Sequence, residues 1–338
     1  MTGASCARYL NSLRIDITTA ESGLRDSVSI AMADTSPTPH DTQQFEVHLV
    51  DGTWELFRHH YGMPSAVRAR PNAAVRAVVR SMVGLLESGA THIGIATDHV
   101  VESFRNTIWP GYKTGDGIEP ALFAQFELLE QALVACGFSV WPMVEYEADD
   151  ALASVAAQAA RDPRVSRVII CSPDKDLAQC VRGTRVVQWD RRKDTIRDAD
   201  GVREHFGVAP EQIPDWLALV GDAADGFSGL PGWGARSAAV VLDRFGAIDA
   251  IPDDPERWDV SVRGAARLAE TLRGQRELAR LFRTLAVLRD DLDLVGPNID
   301  ALRWASPGAE IDDHCDRIGA PEIPERLSIG LTPRPKYQ

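Results

Sequence analysis

Cysteine is scarce in this chain. Cys6, Cys136, Cys171, Cys180 and Cys315 are five in 338 residues, an odd number with no CxxC pair, so neither a disulfide framework nor a zinc site is supported. Small apolar core side chains are the expected role for these thiols. No run approaches the roughly 18 consecutive apolar residues that span a bilayer, so no membrane partner is expected. The first residues carry Arg8 and Arg14 but no apolar stretch of signal-peptide length, which makes the cytoplasm the expected compartment. Basic residues are also short: 36 Lys and Arg stand against 49 Asp and Glu, a net charge of −13. That balance argues against a generic nucleic-acid binder, whose phosphate affinity comes from clustered cations. A protein that gathers carboxylates to hold divalent cations would give the same bare count, because the count omits the metal's charge.

The body has ordinary globular composition, 44% hydrophobic and 25% charged, and enough length for one large domain or two smaller ones. Residues 1–44 are rich in Ser, Thr, Asp and Pro without apolar periodicity and read as a poorly ordered extension. Met32, shortly before the first apolar run, is a candidate for the true start. From Glu46 short apolar runs alternate with helical spacing, the pattern of a parallel sheet covered by helices. Strands are expected at 46–50, 92–97, 139–143, 167–171 and 185–189, with helices over 72–87, 121–136 and 147–160. After about Gly201 the strand signal stops and helices are expected over 210–219, 235–245 and 265–288. The fold class is α/β, with a core over 45–200 and a helical region over 201–338 that ends in a tail at Leu331–Lys336.

Three expected strands run into acids: Val50 into Asp51, Thr97 into Asp98, and Cys171 into Ser172-Pro173-Asp174-Lys175-Asp176. Ligands of open parallel sheets bind beyond the carboxyl ends of the strands, so these acids should converge. Any one Asp there is an ordinary turn or N-cap residue; three together are not so easily explained. Glu145-Tyr146-Glu147-Ala148-Asp149-Asp150 opens a helix with Glu147 and Asp150 at i and i+3. Acids there can serve as dipole partners worth about 0.3–1 kcal/mol, but several packed together repel unless a cation joins them. Asp222 and Asp225 lie in a loop between helices. An all-oxygen acidic site suits Mg²⁺ or Mn²⁺, and two such ions about 3.5–4 Å apart can activate water and stabilise a leaving oxygen at phosphorus. Gly229-Leu230-Pro231-Gly232-Trp233-Gly234 then feeds a helix starting at Ala235, where backbone N–H groups can meet phosphate oxygens without many basic side chains.

These elements, in order, carry a resemblance. Leu49-Val50-Asp51-Gly52, Phe57-Arg58, Phe104-Arg105, Tyr112-Lys113, Glu147-Ala148-Asp149-Asp150, Asp174-Lys175-Asp176-Leu177, Gly221-Asp222-Ala223-Ala224-Asp225 and Gly232-Trp233-Gly234-Ala235-Arg236 follow the pattern of the 5′-3′ exonuclease and flap endonuclease family. The pattern resembles the 5′-nuclease domain attached to bacterial DNA polymerase I, here without polymerase sequence, and covers roughly Val47 to Gly246. The resemblance implies a PIN-like nuclease core followed by a helix-three-turn-helix element, acting on 5′ ends or junctions of DNA. It implies one metal site served by Asp51, Asp98, Glu147 and Asp149 and a second by Asp174, Asp176 and Asp225, with Asp150 and Asp222 close by. Lys113 and Arg105 match basic residues near the scissile phosphate. Phe57, with Arg58 beside it, matches a position where a ring stacks on an unpaired base. Gly232, Gly234 and Arg236 match the turn that binds duplex backbone around a potassium ion.

The chain departs from that pattern in three places. Asp116 stands where relatives have Arg, Gly226 where they have Asn, and Arg236 where they have Lys. The compact segment after Lys113 leaves little chain for a threading arch. Other readings of single residues stay open: Phe57 as a core aromatic, Arg105 and Lys113 as surface charges, Trp216 and Trp233 as packing residues, and His59-His60 and Arg191-Arg192-Lys193 as solvated positions. Three functions follow as expectations: an active 5′-3′ exonuclease with flap or gap endonuclease activity, a branched-DNA binder that has lost turnover, or a PIN-type ribonuclease.

Overall fold

In the computed structural model, which describes residues 44–328, six strands form one sheet in the order β3-β2-β1-β4-β5-β6. They are β1 (Phe45–Asp51), β2 (His92–Asp98), β3 (Ser139–Met143), β4 (Val165–Cys171), β5 (Val186–Asp190) and β6 (Thr195–Arg197). The first five are parallel and β6 alone is antiparallel, closing the sheet as a short edge. Five match the expected strands to within two residues; β6, three residues long, left no periodic signal. The extension, Met32 and the C-terminal tail lie outside the described residues, apart from Gln44.

The central strands are buried on both faces, as expected for strands with helices on either side. Strand order reverses between β1 and β4, placing a crevice at their carboxyl ends. Register puts Asp51 opposite Ala96 and Val50 opposite Cys171, so the residues that follow β1 and β4 emerge side by side. On one face, the helices Gly52–Gly62, Ala73–Glu87 and Phe126–Ala135 cover a cluster built on Val78, Met82, Ile95 and Leu133. On the other, the alanine-rich helix Ala148–Ala159 lies against Leu49, Val168 and Ile170. Cys136, Cys171 and Cys315 are buried thiols, as expected of a core role.

The helical region centres on Ile213–Val220, Ala235–Phe245 and Ala265–Ala286, the last broken at Gln275. Its apolar cluster includes Ala178 and Val181 from the segment after β4, which fixes the region over one end of the sheet. The chain then returns to the sheet layers. Leu288, Ile299 and Leu302 join the cluster beneath Ala148–Ala159, and the helices Ile311–Ile318 and Ile323–Ser328 pack on Ala73–Glu87 and Phe126–Ala135. Arg191 is not solvated: its side chain bonds Glu55 and Ser81.

Candidate metal centre and nucleic-acid interface

Asp51 ends β1 and caps the next helix, accepting from Trp54 N at 2.8 Å through one oxygen and from the Ser172 hydroxyl at 3.0 Å through the other. The second bond ties the ends of β1 and β4 together. Asp98 ends β2 and accepts from Ala148 N at 2.8 Å, which docks the start of the Ala148–Ala159 helix beside it. Asp149 then faces Asp51, Asp98 and Asp174 closely enough to feel all three charges. The 3₁₀ turn Asp176–Cys180 places Asp176 with Asp222 and Asp225, and one oxygen of each lies within 4.8 Å of the others. Asp176 Oδ1 is buried and has no hydrogen-bond partner, which is the state of an oxygen aimed into a cation site.

Electrostatics register the crowding. Burial first, then the Asp98 and Asp174 charges, push the Asp51 carboxyl up to about 7 despite its two hydrogen bonds. Burial and the same kind of repulsion, from Asp174 and Asp51 for Asp149 and from Asp225 and Asp174 for Asp176, hold both well above the usual range. Asp98 and Asp225 are also raised, chiefly by burial, with Lys113 working against the shift. Glu147 goes the other way: burial would raise it, but Lys113 and Arg105 hold it below the usual value. Five aspartates made harder to ionise by burial and by one another fit a site completed by cations.

Lys113 spans the acids. Its ammonium sits 2.6 Å from Glu147 and 3.2 Å from Asp225, so one cation links the sheet's acids to those of the helical region. Backbone geometry fixes it, since Lys113 N donates to Asp225 O at 3.1 Å and its own carbonyl accepts from Asn106 Nδ2 at 3.0 Å. Gly226 belongs to this contact. It has φ of +80°, and a Cβ there would lie 2.0 Å from the Gly111 carbonyl oxygen, so the larger residue of the family pattern does not fit this loop.

Four of the residues singled out in the sequence are engaged by partners inside the protein. Arg105 is turned inward: it is 1% exposed, and its guanidinium makes two bonds of 2.7 Å to Asp150, one of 2.9 Å to Glu147, and others to the Leu285 and Val287 carbonyls. Asp150 is not turned toward a metal, because its oxygens are taken by Arg105 and by the backbone N–H groups of Glu147 and Arg289. Phe57 packs edge-on against Phe126, with ring centroids 5.9 Å apart, at the margin of the core. Arg58 is engaged by Glu55 and His59 on its own helix. In each case a tertiary partner far along the chain, or one turn away, takes the group that the motif left free.

Gly232, Gly234 and Arg236 are exposed and line a cavity of about 660 Å³ with Ser237, Ser261 and Arg263 at the start of Ala235–Phe245. Trp233 is buried, with its ring against Trp258, and Trp216 is buried as well. The sequence reading missed Ser103 and Ser172, whose hydroxyls bond Glu147 and Asp51, and Lys175, which pairs with Asp222 at 2.7 Å. No spacing rule marks a lone Ser as a carboxylate partner. Lys175 was visible inside the Asp-Lys-Asp motif.

A parallel sheet with acids at its carboxyl edge, completed by a helical element bearing two more acids, defines the class of metal-dependent nuclease folds. Residues 46–207 match the family model of the 5′-3′ exonuclease N-terminal resolvase-like domain, and residues 208–310 match that of the 5′-3′ exonuclease C-terminal SAM fold. Flap endonuclease Xni of Edwardsiella ictaluri is 34% identical over 244 residues, which cover 70% of this chain and 91% of that protein. DNA polymerase I of Mycobacterium leprae is 33% identical over 264 residues, 75% of this chain, and that of Pseudomonas aeruginosa is 31% identical over 274 residues, 78% of this chain. The chain belongs to the 5′-3′ exonuclease family. It spans only 28% and 29% of those two polymerases' lengths. The fold is shared with T5 5′-exonuclease bound to zinc ions (TM-score 0.58, 19% identity, 81% of this chain and 98% of that one). It is shared too with the catalytic core of Rad2 in complex with DNA substrate (TM-score 0.58, 17% identity, 86% and 93%).

Proposed function

We propose that this protein is a 5′-3′ exodeoxyribonuclease that hydrolyses DNA phosphodiesters at or near 5′ ends, with flap or gap endonuclease activity, in replication or repair. The observation that carries the reading is the convergence of Asp51, Asp98, Asp149, Asp174, Asp176, Asp222 and Asp225 from separate segments, with one buried oxygen left without a partner. Asp51, Asp98, Glu147 and Asp149 are assigned to one divalent ion and Asp174, Asp176 and Asp225 to a second, with Asp222 beside it. Mg²⁺ or Mn²⁺ suits the all-oxygen donor set. Bound there, the ions supply Lewis acidity toward water and the phosphoryl oxygens.

The chain's own residues set the geometry. Ser172 and Trp54 N hold the Asp51 carboxylate in place, Ser103 and Tyr112 orient Glu147, and Arg105 with Asp150 pins the segment that presents Glu147. Lys113, three-quarters buried between the two acid groups, is assigned as the cation that meets the scissile phosphate. The core at 45–200 carries this chemistry. The helical region from 201 is assigned to duplex grip through Gly232, Gly234 and Arg236, with K⁺ at that turn. A DNA substrate makes the cytoplasm the expected compartment, and no described helix is long and apolar enough to cross a membrane.

Cleavage of 5′-labelled flap, gapped and blunt duplex DNA with Mg²⁺, Mn²⁺ or EDTA tests the reading, with Asp174→Ala as control. Metal-dependent cutting that the substitution abolishes supports it, and binding without cutting under every metal condition would favour the non-catalytic binder. Faster cutting of a matched RNA flap would point to the ribonuclease.

A further inference from the structure

A second arginine-lined cavity, of about 600 Å³, lies away from the acids, where the start of Ala73–Glu87 meets the end of Ile311–Ile318. Arg70, Arg76, Arg80 and Arg317 face it with Asn72, and Asp316 is the one acid in its wall. In a chain of net charge −13, four guanidinium groups on one pocket are a marked local reversal. Arg76, Arg80 and the Arg317 backbone are held by contacts between the two segments. Arg76 donates to the Ile318 carbonyl at 2.8 Å, Asn72 Nδ2 donates to the Arg317 carbonyl at 3.0 Å, and Arg80 pairs with Glu322 at 2.6 Å. Gly319, with φ of +70°, leaves room for Arg76: a Cβ there would stand 2.7 Å from its Nη1. The exposed Arg70 guanidinium has no hydrogen-bond or ion-pair partner among the described residues, and the Arg317 guanidinium has only a 3.3 Å contact to Gln131. An open pocket that anchors two guanidinium groups and leaves two others nearly unspent matches the oxygens of a phosphate.

We propose that this pocket binds phosphate groups of duplex DNA backbone flanking the cleavage site, as a grip separate from the glycine turn at 232–236. The proposal rests on the DNA-directed reading above. It bears on the charge objection, because four arginines gather at one pocket although the chain as a whole is acidic.

The test is binding of long and short gapped duplexes, measured by fluorescence anisotropy in EDTA across a salt series. Wild type is compared with Arg70→Ala/Arg317→Ala and with Arg303→Ala as a surface control. The pocket pair should lower affinity for the long duplex about fivefold or more and flatten the logarithmic salt dependence by about one to two, one per lost phosphate contact. The short duplex and the control should be unaffected. Unchanged affinity and slope for the long duplex would overturn the proposal. So would a loss confined to binding of a free nucleoside monophosphate, titrated in parallel, because that outcome makes the pocket a nucleotide site. Failure of the nuclease reading is distinguishable, since it appears as absence of metal-dependent cleavage by wild type whatever the salt slopes show. Circular dichroism of the paired variant guards against misfolding, and Arg70→Lys/Arg317→Lys, which keeps the charges, should recover most of the salt slope.

Discussion

Arg105 and Asp174 show how two motif residues with similar sequence claims part company. Arg105 sits inside the protein with its donors taken by Asp150, Glu147 and two carbonyls. Removing one partner of a buried pair leaves the other charge uncompensated, at a cost of roughly 3–5 kcal/mol. Arg105→Ala should therefore lower the urea midpoint sharply, and a fully stable variant with impaired turnover would restore the catalytic assignment. Asp174 is exposed at the mouth of the acid cluster, and its carboxylate accepts a single hydrogen bond, from Asp176 N at 3.3 Å. Asp174→Ala should leave stability and DNA binding in place while kcat falls by about 10²–10³, the scale of losing one preorganised charge-stabilising group. The difference between these residues was not legible in the sequence. Both follow apolar stretches in specific motifs, and only the long-range partners Leu285 and Val287 reveal that one is structural.

At the scale of elements, the acids were legible because strand ends and sheet topology are local and general. An Asp after an apolar run, repeated on adjacent parallel strands, has one place to go. The loop after Ile213–Val220 was only half legible. Its acids were read as a pair in a loop, and the structure sets both beside Asp176, but Gly226 was read only as a departure from the family pattern. Its backbone conformation and its approach to the Gly111 carbonyl give it a positive reason to be glycine. Gly226→Asn should therefore not raise cleavage. It should destabilise the protein by about 1–3 kcal/mol, the cost of a strained non-glycine residue, and weaken the Lys113–Asp225 contact. A thermal melt with a parallel cleavage assay checks both, and increased activity at unchanged stability would show that Gly226 costs activity.

The acid cluster also couples its elements through pH. Carboxyls raised by burial and repulsion bind more protons in the folded state than in the unfolded one, so their contribution to stability is present below their ordinary pKa and is lost as pH rises through the folded value. With Asp51 at about 7 and Asp98, Asp149, Asp176 and Asp225 also raised, metal-free protein should lose stability between about pH 4 and 7. Added Mg²⁺ or Mn²⁺ should reverse that loss, increasingly so toward pH 8, because binding displaces protons. Thermal melts across pH with EDTA or metal measure this. A metal effect that does not grow with pH would mean that the cluster is not the binding site.

For the whole molecule, the least legible feature is the return of the chain after the helical region. The family pattern in the sequence ends near Gly246 and the matched family domains end at residue 310, yet Ile311, Ile318, Ile323 and Leu327 are buried in the same cluster as the strand residues Val50 and Ile95. Short helices of eight and six residues carry too little periodicity to announce such a role. Each of these four side chains contributes on the order of 1.5–3 kcal/mol by burial. Together they are comparable with the roughly 5–15 kcal/mol net stability of a typical protein. Arg326 with Glu87, and Arg80 with Glu322, add exposed ion pairs worth little by themselves, so the apolar contacts decide the outcome. Ending the chain at Gly308 should leave a protein that lacks a cooperative melt and exposes the apolar faces of Ala73–Glu87 and Phe126–Ala135, readable as dye binding and protease sensitivity. A cooperative, metal-responsive nuclease ending at Gly308 would show that the two return helices are an addition to the fold, not part of the core on which the acid edge depends.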